Sequence, residues 1–181
     1  MTINNKLISL KKIVFLVAPL TLFGCYHSYA ATEQPLTQTQ KNQEETVKAL
    51  QKLTHYAIDE SFLISQCIDN LSNQALKDKL QTIKRECDDN IKELSALLIK
   101  YGGNVPDYSK DFRGYFMSGY TAMRGAFTDQ GTFNALHTNL KLILKAFESA
   151  LSSSAPADAK EVIKKAYDRT KKAAQDIEAQ L

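Results

Sequence analysis

Several large function classes leave no trace in this sequence, and each absence narrows what the chain does. No glycine-rich phosphate loop follows a strand-like run, no Cys-x-x-Cys pair occurs and no Gly-x-Ser-x-Gly elbow is present. The motif-based routes to nucleotide, thiol-redox and α/β-hydrolase chemistry are therefore closed. Alternating runs rich in Val, Ile and Thr are missing too, which points to an all-helical protein. Histidine is scarce, and only His55 and His137 lie beyond residue 30. The apolar run from Ile13 to Phe23 has 11 residues, against the roughly 20 that a membrane-spanning helix needs.

What is present begins with that short run. Lys6, Lys11 and Lys12 precede it and small and polar residues follow, the order of a basic, an apolar and a cleavage region. Residues 1–30 are expected to be an export signal peptide. Two processing sites are open: Ser28-Tyr29-Ala30 before Ala31, and Leu22-Phe23-Gly24-Cys25, which resembles a lipobox and would leave Cys25 lipidated. Either route predicts an exported, periplasmic protein, with membrane contact only through an anchor at Cys25. Residues 1–30 hold three lysines and no acid, so the remainder carries 20 bases against 20 acids. A neutral domain lacks the basic footprint of a nucleic-acid binder, and no nucleic-acid partner is expected.

Residues 31–43 are polar, contain Pro35 and lack periodicity, which predicts a flexible tether. A helical bundle is expected over 44–181. The first helix should cover Glu44 to Asp69, burying Leu50, Leu53, Ala57, Ile64, Cys67 and Leu71 at spacings of three and four. Glu60 falls in the same series, while Lys48, Gln51, Lys52, His55 and Asp59 take the wet side. Asn73 can cap the second helix, whose stripe is Leu76, Leu80, Ile83, Cys87, Ile91, Leu94 and Leu98, with Glu86 and Asp89 as its inward acids. Gly102-Gly103 supplies the left-handed residue a helix end favours, and Pro106 prevents continuation. Cys67 and Cys87 would be offset by roughly 15 Å along antiparallel axes, too far for a disulfide. Buried free thiols are the expected outcome, with a disulfide between two copies as the alternative.

The third long helix should run from Thr132 to Leu151, with Phe133, Leu136, Leu140, Leu144, Phe147 and Leu151 inward. The fourth should begin between Ser154 and Asp158, where Asp158 and Glu161 have capping-box spacing, and bury Ile163, Ala166, Thr170, Ala173 and Ile177. Between the second and third helices lie about 30 residues, too many for a tight turn. Here Phe112, Phe116, Tyr120, Met123 and Phe127 form a bulky stripe, and Gly114, Ser118, Ala122 and Gly125 a small one. The spacing predicts a crossover helix over 109–127, either packed on the bundle or offered to a protein partner or a second copy. Two hairpins joined by one long crossover give the ferritin-like connectivity.

From Val47 to Leu181 the chain resembles a short bacterial ferritin-like family known mainly as a domain of unknown function. The resemblance rests on Asp59-Glu60, on the run from Leu94 that ends in Tyr101-Gly102-Gly103 with Pro106 nearby, on 109–124, and on Lys145-Ala146-Phe147-Glu148-Ser149-Ala150-Leu151. It implies a ferritin-like four-helix bundle and, by itself, no activity. The wider superfamily implies a di-iron centre, with a Glu from each of two helices and Glu-x-x-His from each of the others. Here Glu60, Glu86, Asp89 and His137 are the candidate metal ligands, for iron or manganese. Leu140, Thr170 and Ala173 stand where further inward ligands would be needed. No catalytic residue is assigned, and the chain is expected to bind rather than catalyse, with at most a reduced carboxylate site.

Overall fold

The computed structural model describes residues 37–106 and 128–181, all within the unit from Pro35 to Leu181. Their regular structure is entirely helical: α1 (Gln38–Asn70), α2 (Gln74–Lys100), α3 (Asp129–Leu151) and α4 (Ala157–Glu178). The expected export signal, Cys25, the first part of the expected tether and the crossover helix expected over 109–127 lie outside the described residues. Among the described residues no helix is long and apolar enough to cross a membrane.

Helix ends follow local chemistry, with three departures from expectation. α3 begins at Asp129 rather than Thr132, because Thr128 caps it by accepting from Gly131 N–H (3.1 Å). α1 starts at Gln38, within the segment expected to be tether. Thr37 and Gln40 form a reciprocal capping box there: Gln40 N–H donates to Thr37 Oγ1 (3.3 Å), and Thr37 N–H to Gln40 Oε1 (2.8 Å). The expected box at Asp158 does not form. Pro156 is the N-cap of α4 and provides no side-chain bond. Asp158 instead accepts from Lys100 Nζ (2.6 Å) and Tyr101 Oη (2.7 Å), tying the end of α2 to the start of α4. Asn73 caps α2 as expected, accepting from Ala75 and Leu76 N–H. Gly102 adopts the left-handed conformation, at φ +84°.

Each helix packs on two neighbours: α1 on α2 and α3, and α4 on α2 and α3. The short turns Leu71–Asn73 and Ser152–Pro156 make α1–α2 and α3–α4 antiparallel hairpins. Two contacts between hairpins fix their register. Ser72, in the first turn, bonds Asp129 at the start of α3, whereas the end of α2 meets Asp158 at the start of α4. The end of α2 and the start of α3 therefore lie at opposite ends of the bundle.

The buried side chains form two apolar clusters. Leu50, Leu53, Leu94, Leu98, Phe147 and Ile163 anchor one; Ile64, Leu80, Ile83, Phe133, Leu136, Leu140 and Ile177 anchor the other. Between them each helix contributes a polar side chain. Ala57 and Leu63 flank Glu60, Cys87 and Leu94 flank Asn90, and Ala166 and Ala173 flank Thr170. Asn139 adds the fourth from α3, beside Leu140. This polar layer divides the core.

Candidate functional site

Glu60 is at the centre of the layer. Its helical register places it on the inner stripe, three residues after Ala57 and four before Ile64, and it is 3 % exposed. Asn139 Nδ2, from α3, donates to Glu60 Oε2. Glu60 Oε1 has no hydrogen-bond partner among the described residues. Burial, assisted by the adjacent Asp59, pushes its pKa up to about 8, the Asn139 bond opposing this. The acid is thus held largely protonated at neutral pH, the least costly state for a carboxyl removed from water.

Glu86 approaches from α2. It is half-buried, and its Oε1 accepts from Lys172 Nζ of α4 at 3.0 Å. Its Oε2 is buried without a partner among the described residues. Glu60 and Glu86 line one cavity of about 20 Å³, with Cys87, Asn90, Leu140, Arg169, Thr170 and Ala173 also on its wall. Arg169 makes a bidentate pair with Glu93, both bonds 3.0 Å, and donates to Asn90 Oδ1 at 3.2 Å. That pairing holds the Glu93 carboxyl below its ordinary range. Asn90 in turn donates to Thr170 Oγ1 (3.4 Å), and Thr170 donates to Ala166 O (2.9 Å).

The structure brings Glu60 and Glu86 together and leaves the other two predicted metal ligands apart. Asp89 is exposed; the inward position next to it belongs to Asn90, because one residue turns a helix by about 100°. His137 is buried, but its Nε2 lies 3.8 Å from Glu178 Oε1 and it does not line the cavity. Among the described residues no group of three or more His, Cys, Asp or Glu side chains is placed to hold a metal ion. The Glu60–Glu86 pair does not fit a two-metal centre: Leu140, Thr170 and Ala173 supply no carboxylate or imidazole, and Arg169 and Lys172 already bring positive charge to the pair.

Asp59 departs from expectation as well. It is 8 % exposed rather than on the wet side. His55 Nε2 lies 3.2 Å from its Oδ2, and burial raises its pKa while His55 opposes the rise. Cys67 and Cys87 are buried and not joined, in keeping with their axial offset. Burial and the nearby Glu60 push both thiols up, and Cys87 Sγ donates to Ala57 O at 3.2 Å. Neither is a reactive thiolate.

Sequence reasoning missed Asn90, Asn139 and Arg169. Asn90 carries a signal, since it falls three residues after Cys87 and four before Leu94. Asn139 and Arg169 enter the layer through interhelical register, which no single helix encodes.

A comparison with curated proteins found no match to the chain. The family model for a domain of unknown function, DUF2383, matches residues 45–153, from α1 to just beyond the end of α3. That match covers more than half of the chain, which belongs to this family.

Proposed function

We propose that this chain is an exported, ferritin-like four-helix protein that acts by binding rather than by catalysis, with a degenerate internal metal site. The observation that carries the reading is the composition of the polar layer. Two carboxylates meet there, one of them bonded to Lys172, and the remaining wall is Ile64, Ile83, Cys87, Asn90, Leu140, Arg169, Thr170 and Ala173, with the Cys87 thiol committed to Ala57 O. Ferritin-like connectivity is supported by the opposite placement of the α2 end and the α3 start, which calls for a crossover along the bundle. Export, with Cys25 lipidation as the alternative, rests on the basic and apolar residues that precede Ala31. For binding to a protein partner or a second copy, the segment we propose is 109–127, whose sequence carries a bulky and a small stripe.

A second reading keeps a weak iron or manganese site at Glu60 and Glu86. It is favoured by the two unpartnered carboxylate oxygens on one cavity. Calorimetric titration with Mn²⁺ and Fe²⁺, comparing the wild type with Glu60→Ala, separates the two. The first reading expects no heat that the substitution removes; stoichiometric binding lost in Glu60→Ala would establish the second.

A further inference from the structure

The cavity beneath Glu60 has a second side. Glu86 also lines a wider groove of about 410 Å³ on the α2–α4 seam, with Asp78, Lys79, Thr82, Lys172 and Asp176. One carboxylate therefore borders both spaces, its Oε1 on Lys172 and its Oε2 without a partner among the described residues. Inside, Glu60 is more than nine-tenths buried, and its Oε1 is likewise unpartnered. A buried polar atom with no partner is costly to fold, and two on one cavity wall call for a shared partner.

We propose that this cavity binds one water molecule, which bridges Glu60 Oε1 to Glu86 Oε2 and connects the buried acid to the α2–α4 groove. Its volume of about 20 Å³ exceeds the roughly 10–15 Å³ that one water requires, and such waters make about three hydrogen bonds. The Glu86 carboxylate accepts one. Protonated Glu60 donates another. The Thr170 hydroxyl, whose proton is committed to Ala166 O, has acceptor capacity for the third. A neutral guest suits the wall better than a cation, because Arg169 lines the cavity and Lys172 sits on Glu86.

Oxygen-17 relaxation dispersion on the purified, metal-stripped protein counts long-lived internal waters and reads their exchange time. The wild type should show one more such water than Ala173→Val, whose added methyls occupy the cavity. Lys172→Met, a change at an exposed side chain, should retain that water but shorten its residence time at least tenfold. No long-lived water in the wild type, or an Ala173→Val amplitude equal to the wild type's, would overturn the proposal. So would an unchanged residence time in Lys172→Met, which tests the same point should Ala173→Val fail to fold.

Discussion

Replacing Glu60 by glutamine should change the pH dependence of stability more than its value in acid. In the unfolded chain Glu60 ionises with its ordinary pKa of 4.5; in the folded protein it does so at about 8. Between these values the native state holds a proton that the unfolded state has lost. Stability therefore falls as pH rises, by about 1.4 kcal/mol per pH unit for one such group. Across the window from 4.5 to about 8 the loss amounts to roughly 5 kcal/mol, and above it the penalty levels off. In Glu60→Gln the new amide keeps the shape of the protonated acid and still accepts from Asn139, but has no ionisable proton to lose. Urea unfolding followed by far-UV circular dichroism should find the two proteins within about 1 kcal/mol of each other near pH 4.5. The variant should be the more stable by several kcal/mol near pH 9. Asp59, also raised by burial, contributes a slope of the same sign in both proteins and leaves the difference to Glu60. Parallel pH profiles for wild type and variant would refute the reasoning.

Other consequences are simpler to test. Phe147, 1 % exposed in the cluster nearer the Asp158 end, should cost about 3–5 kcal/mol when changed to Ala, read by the shift in urea midpoint. Gly102→Ala places a side chain on a left-handed residue with φ +84°. It should cost roughly 1–2 kcal/mol although no atom obstructs the new methyl, which thermal unfolding at constant pH will measure. Intact-mass analysis of the protein after export should find Ala31 at the N-terminus; a diacylated Cys25 would indicate the lipoprotein route instead.

What one helix encodes by itself is legible in the sequence. Glu60 stands out because it continues the spacing of Ala57 and Ile64, and Gly102 and Asn73 because helix ends have local chemical rules. The inward acid expected at Asp89 is misplaced by one position: its spacing from Glu86 suggests a ligand motif, whereas Cys87 and Leu94 put Asn90 inward. The start of α1 is also legible, as Thr37 and Gln40 spell a capping box, but the polar composition around Pro35 points the other way. Asp158 has the position of a capping residue, and only the arrival of Lys100 and Tyr101 from α2 redirects it. Asn139 on Glu60 and Arg169 on Asn90 are beyond reach for the same reason, since both depend on how hairpins align.

The central claim is that the polar layer is a hydrated acid pair rather than a metal centre, and metal content tests it most directly. Elemental analysis of the wild type and of Glu60→Ala, each purified without chelator and then dialysed against metal-free buffer, should find well under one iron or manganese per chain in both. One or more equivalents in the wild type that disappear in Glu60→Ala would contradict the account.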